Sequence, residues 1–119
     1  MKISKHWILG ALALSINIGC SRNCSELPQT FENYEEAIQQ VEAASFKIDE
    51  TIRTPESTWI SSATFSSCDG SKGYFLLSVK NKKYLYYNVP IEIWEEFKQA
   101  DSKGGYYNTY IKGNYQYKQ

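Results

Sequence analysis

A chain of 119 residues has room for one domain, since domains cluster at roughly 100 to 150 residues. Its hydrophobic fraction of 42% and charged fraction of 22% are those of a globular protein and exclude a disordered or membrane-embedded body. A formal net charge of zero removes the broad electrostatic pull toward nucleic acid or anionic lipid. Residues 21–57 are nonetheless acidic and the later part is mildly basic, so the two parts attract each other.

Residues 1–6 form a short basic leader with Lys2 and Lys5, followed by an apolar run over residues 7–18 and then Gly19 and Cys20. The run falls well short of the roughly 20 apolar residues that cross a bilayer, so residues 1–19 read as a secretory signal peptide. A cysteine directly after such a run resembles the bacterial lipoprotein precursor, in which that cysteine is diacylated and becomes the mature N-terminus. Gly19 and Ile18 suit the positions before it, while Asn17 stands where leucine is usual. Lipidation is therefore expected at Cys20, with an ordinary cleaved signal or an uncleaved anchor as the alternatives. By the same resemblance, Ser21 permits sorting to the outer membrane on the periplasmic side of the envelope.

Residues 20–30 lack periodicity and read as a lipid-proximal linker, leaving residues 31–119 as the domain. Phe31, Tyr34, Ile38 and Val41 recur at helical spacing, predicting an amphipathic helix over residues 31–44 with Thr30 as its N-cap. Phe46, Ile48, Glu50 and Ile52 alternate with Lys47, Asp49, Thr51 and Arg53, the period-two pattern of a strand, which Thr54 and Pro55 end. A second strand is expected over residues 59–66, and a turn at residues 68–73. The third, over residues 74–80, places Phe75, Leu77 and Val79 opposite Tyr74 and Leu76. The fourth, over residues 84–87, sets Tyr84 and Tyr86 against Leu85 and Tyr87. The tight connection between these last two makes them an antiparallel hairpin.

Apolar residues on both faces predict a sheet covered on each side. A second helix begins near Pro90, with Ile93 or Trp94, Phe97 and Ala100 on its stripe, and ends near residues 101–105. Residues 106–111 add a short helical turn, and Tyr115 and Tyr117 tuck the chain end against the body. The expected class is α+β: a small antiparallel sheet of about four strands with a β-hairpin, one helix after it, and the N-terminal amphipathic helix.

The segments Ser57-Thr58-Trp59-Ile60-Ser61-Ser62, Tyr84-Leu85-Tyr86-Tyr87-Asn88-Val89-Pro90, Ala100-Asp101-Ser102-Lys103-Gly104 and Tyr107-Asn108-Thr109-Tyr110-Ile111 resemble the KTSC domain. That family is named for its occurrence at the C-terminus of some lysyl-tRNA synthetases. The resemblance runs over residues 57–117 and implies a strand-rich hairpin followed by a helix, with the family's Tyr-x-Tyr element on Tyr84 and Tyr86. Its association with synthetases implies RNA binding. Gly105, Thr109 and Asn114 stand where many members have arginine.

Catalytic chemistry finds little support. The single histidine is His6, inside the segment expected to be removed. A mature chain without imidazole cannot assemble a Ser-His-Asp or Cys-His site, and it lacks the commonest nitrogen ligand of zinc. No CxxC spacing or phosphate-binding glycine loop is present, so neither metal nor cofactor is expected. Glu92, Glu95, Glu96 and Asp101 leave a carboxylate-based glycan hydrolase as a third reading, although carboxylates early in a helix also complement its dipole.

Cys24 and Cys68 would share an oxidising compartment and either pair or remain free. Lys80, Lys82 and Lys83 interleave with Tyr84 and Tyr86 as a single-strand-binding surface would, or are ordinary turn lysines beside core tyrosines. Asn108 neighbours Tyr106 and Tyr107 near a mobile loop at Gly104 and Gly105.

The expected function is that of a non-enzymatic, envelope-anchored binding module. Its partner would be an envelope protein or a glycan, its membrane contact the N-terminal lipid, and its candidate surface Trp59, Tyr84, Tyr86, Tyr106, Tyr107 and Asn108. RNA binding is the alternative.

Overall fold

The structure, a computed structural model, describes residues 22–115. The signal segment, Cys20 and Tyr117 lie outside the described residues.

The period-two segments assemble into one antiparallel sheet of sequential strands: β3 (Ile48–Arg53), β4 (Ser62–Ser67), β5 (Lys72–Val79) and β6 (Lys82–Pro90), in the order β3-β4-β5-β6. Val79 pairs with Lys82, so the hairpin turns on Lys80 and Asn81 alone. Lys80 takes φ 53, left-handed backbone of the kind tight two-residue loops require. Lower on the hairpin, Gly73 pairs with Val89 and Phe75 with Tyr86, so β6 carries one extra residue there. Asn88, with φ 55, absorbs this bulge, since asparagine tolerates the left-handed region better than most residues. A Cβ at Gly73 would overlap the backbone of Ser66, which is why this strand position has no side chain.

Alternation sorts the side chains onto two faces. On one, Ala63, Phe65, Phe75, Leu77, Tyr86 and Val89 form the main core with Trp94 and Phe97 of α2 (Ile91–Gln99) and with Tyr107 and Ile111. Pro90 precedes α2, where its missing N–H costs nothing. Trp94, not Ile93, supplies the fully buried position of the stripe. Only residues 100–102 separate α2 from α3 (Lys103–Tyr106), which continues into a π-helical turn over Tyr107–Ile111. Gly104 and Gly105 therefore lie in a helical turn and not in the expected mobile loop. Ser102 caps that turn, its Oγ accepting from Gly105 N at 3.0 Å.

On the other face, Leu76 and Leu85 pack with Phe31 and with Ala37 and Val41 of α1 (Tyr34–Ala43). Asn33, rather than Thr30, is the N-cap; its side chain accepts from Glu36 N at 2.8 Å. The Tyr34 hydroxyl donates to Lys83 O at 2.8 Å and accepts from Leu85 N at 2.5 Å, occupying backbone groups that the edge strand β6 would otherwise present to other chains. Over β3 and β4 this face turns polar, with Thr51 and Thr64 hydroxyls 2.8 Å apart and Ser66 Oγ donating to Asp49 at 3.2 Å. Phe46 departs from the predicted alternation: the strand begins only at Ile48, and Phe46 joins the α1 cluster.

The expected linker over residues 20–30 is fastened to the domain from Arg22 onward. Arg22 and Asn23 (β1) pair in parallel with Ala44 and Ser45 (β2), Leu27 packs against the α1 cluster, and Cys24 is disulfide-bonded to Cys68 with a Cα separation of 5.8 Å. A two-residue strand has no periodicity to reveal it, and a pair of cysteines in sequence carries no Cα distance.

Glu50 joins the sheet to α2. Trp94 Nε1 donates to its Oε1 at 2.6 Å and Lys98 Nζ at 2.9 Å, and these donors hold the carboxyl below its ordinary value of 4.5. The folded value being the lower one, the contact's stabilisation is present above about pH 4.5 and is lost as pH falls through the folded value. With the Glu50 side chain 50% exposed, the contribution is screened to about 1 kcal/mol or less. We expect Glu50→Gln to lose less stability than wild type between about pH 6 and about pH 3 in urea denaturation; identical losses would show that the bridge does not titrate with folding. Asp69 shifts in the same direction, through backbone N–H donation from Ser71 and Lys72, and leaves a residual acid sensitivity in the variant.

Candidate functional site

The six predicted surface residues do not form one surface. Tyr86 and Tyr107 are buried, at 7% and 5% exposure, and their hydroxyls hydrogen-bond each other inside the core. The reason is geometric: Tyr86 points to the face that α2 and α3 cover, and Tyr107 lies on the inward side of the turn covering it. Burial pushes both phenols above their ordinary value. Neither is available to a partner, and both are withdrawn from the candidate surface. Tyr106 is half-buried, and its hydroxyl donates to Glu96 at 2.7 Å, fastening α3 to α2.

Tyr84, 37% exposed, lies on a groove of about 490 Å³ between α1 and the hairpin, with Tyr34, Ile38, Glu42, Lys82 and Lys83. Lys83 is paired with Glu42 at 2.7 Å, and Glu35 also lines the groove. Lys82, Lys83 and Tyr84 thus share the groove with carboxylates, Lys80 lines a different cleft and Tyr86 is buried, so the interleaved residues make no continuous basic track for phosphates.

Trp59 and Asn108 do meet, in a separate cleft of about 400 Å³ between the loop after β3 and the start of α3. The loop is built by short-range bonds. Thr54, itself buried, donates its hydroxyl to Ile60 O at 2.6 Å and its N–H to Ser61 O at 3.1 Å. Ser57 Oγ accepts from Ile60 N at 3.0 Å and from Trp59 N at 3.3 Å. This turn ends the strand early and makes Trp59 a loop residue, where the sequence pattern had placed it in β4. Across the cleft, Gly104 lies so close to the indole that a Cβ would sit 2.7 Å from Trp59 Nε1. The Tyr107 ring meets Trp59 edge to face at 5.8 Å. Trp59 is thereby fixed and remains partly exposed.

Polar groups around the cleft divide into two sets. Lys103 Nζ donates to Ala100 O at 3.1 Å and lies 3.5 Å from Glu56, with its side chain 11% exposed, so this cation is held by the protein itself. Thr58, Asp101 and Asn108 line the cleft, are exposed, and engage no other described side chain. Sequence reading singled out Trp59, Asp101 and Asn108 but missed the cleft. The signal lay in the resemblance blocks at residues 57–62 and 100–104, which the fold brings face to face.

Of the carboxylates on α2, Glu95 lies 3.3 Å from Lys98 and Glu96 accepts the Tyr106 bond; Glu92 is exposed. Among the described residues no group of three Cys, His, Asp or Glu side chains is arranged to hold a metal ion.

A family model described as the KTSC domain matches residues 77–115. The matched stretch runs from the middle of β5 through the hairpin, α2 and α3 to Tyr115, so the KTSC resemblance read from the sequence holds over this part of the chain. It contains the Asp101 to Asn108 side of the cleft and not the Ser57 to Trp59 side. No curated protein and no solved structure matches the chain.

Proposed function

We propose that the chain is a non-enzymatic binding module, exported by residues 1–19 and held at the periplasmic side of the envelope, on the outer membrane, through lipid on Cys20. Its ligand binds in the Trp59 cleft. The observation that carries this reading is the Cys24–Cys68 disulfide, because such bonds persist in oxidising compartments and are rare in the cytosol. The basic leader, the apolar run and Gly19 before Cys20 agree with it. The amphipathic helix α1 belongs to the same reading: through Ala37 and Val41 it shields Leu76 and Leu85 on the second sheet face, so that binding falls to the cleft on the other side. The RNA reading gains nothing from the mixed charge of the groove at Tyr84. The hydrolase reading loses two of its four carboxylates to ordinary contacts with Lys98 and Tyr106.

Labelling cells with palmitate and fractionating their membranes tests the anchor. Wild type is expected to take up label and sediment with the outer membrane, and Cys20→Ser to lose both. A full precursor found soluble inside the cell, its first twenty residues intact, would overturn the reading.

A further inference from the structure

We propose that the Trp59 cleft is a site for an uncharged, polyhydroxylated ligand, one or two pyranose rings of a glycan carrying hydroxyl and acetamido groups. This rests on the binding-module reading above and names its ligand class. Three observations carry it.

The first is the floor of the cleft. A partly exposed indole, fixed by the Gly104 backbone and the Tyr107 edge, offers a preorganised aromatic surface whose ordering cost was met on folding. The axial C–H groups of a pyranose are weakly positive and complement the negative face of such a ring.

The second is the kind of polar group left over. Thr58 offers a hydroxyl, Asp101 a carboxylate that only accepts, and Asn108 an amide that both donates and accepts. Hydroxyls need acceptors as well as donors around them, and an acetamido group matches an amide. These three side chains engage nothing else among the described residues, whereas Ser57, Ser102 and Lys103 are spent on holding the loop and helix.

The third is charge. Glu56 and Asp101 outnumber Lys103, whose ammonium is already held by Glu56 and Ala100 O. An anionic ligand such as a phosphate or nucleic acid would meet net repulsion and no free cation. A peptide would look for a free sheet edge or a row of apolar pockets, and the cleft supplies one aromatic ring. Its volume of about 400 Å³ falls within the range of small-ligand sites.

Residues after Cys20 contain two tryptophans, Trp59 and Trp94, and Trp94 is fully buried, so a ligand at the cleft reports through Trp59. The test titrates the purified mature protein, from Cys20 onward, in detergent, with chitotetraose and in parallel with trialanine and a short single-stranded RNA. Chitotetraose is expected to change the emission saturably, and Asn108→Ala and Asp101→Ala to weaken the response by about tenfold or more. Both positions are exposed, so circular dichroism is expected to show these variants folded. Silence toward chitotetraose, a response unchanged in both Ala variants, or saturation by trialanine or RNA instead would overturn the proposal. Should chitotetraose fail while palmitate labelling at Cys20 persists, the ligand class falls and the anchored module stands; loss of the label alone removes the anchor and leaves the cleft.

Discussion

Removing the disulfide, by reduction or by Cys24→Ala together with Cys68→Ala, is expected to lower the stability of the domain by about 4 kcal/mol. The bond closes a sequence separation of 44 residues, and tying a loop of that length removes about this much conformational freedom from the unfolded chain. For a domain of this size the loss corresponds to a fall in Tm of about 15 °C or more. Few other contacts secure the segment, which decides where the reduced protein opens: β1 offers two residues of parallel pairing and Leu27 one partly buried side chain. α1 is held independently through Ala37, Val41 and the Tyr34 hydroxyl. Proteolysis of the reduced protein should therefore open first before Phe31, with the body intact. Thermal unfolding with and without reductant measures the first effect and limited proteolysis the second. A change in Tm of under about 3 °C would mean that the unfolded chain is already restricted between the two cysteines.

For a lipid-anchored protein the same bond sets distance. Cys24 lies four positions beyond Cys20, and an extended chain gains at most about 3.5 Å per residue. If Cys20 carries lipid as proposed, the intact disulfide keeps the body within about 15 Å of it, and breaking the bond would lengthen the tether to Phe31. A module fastened this closely would meet ligands at the envelope surface itself, as the glycan proposal requires.

Which parts of this architecture sequence can announce follows from the range of the interactions involved. The division of β5 and β6 into two faces is a local, period-two property, so Phe75 and Leu77 could be separated from Tyr74 and Leu76 without knowing their neighbours. Tyr86 and Tyr107 illustrate the converse. Alternation assigns each to a face, but whether that face is surface or core depends on α2 and α3 folding back over the hairpin, and their hydroxyl pair exists only once they do. Gly104 looked like flexibility because glycine is common in loops. Its role is close approach to an indole some 45 residues earlier, which no local rule contains. A strand beginning at Trp59 agrees with the strand preference of aromatic residues, but the bonds of Thr54 and Ser57 across the loop override that preference. The cleft is the meeting of these two misreadings, and so only its separate halves were visible.

Trp94→Ala is expected to cost about 3 to 5 kcal/mol, and Trp94→Phe only about 1 to 2. The indole is fully buried, nearly parallel to Phe65 at 5.6 Å and to Phe97 at 5.9 Å, with Phe75 edge-on at 5.9 Å. Truncation to alanine opens a cavity among three rings that cannot close around it, because each is itself locked by the sheet or the helix. Phenylalanine keeps most of the ring contact and gives up the hydrogen bond to Glu50. That carboxylate is half exposed and retains Lys98, so its lost partner is replaced by water and no buried group is left unsatisfied. Ring volume therefore outweighs the polar bond by about two to one or more. Urea denaturation of the two variants measures the ratio directly. If Trp94→Phe proved as damaging as Trp94→Ala, the tie between β3 and α2 through Glu50 would be the stronger element. A Glu50→Ala variant, which removes the acceptor of the Trp94 bond, would then have to show a loss of the same size near neutral pH, where the exposed, screened carboxylate is expected to contribute about 1 kcal/mol or less.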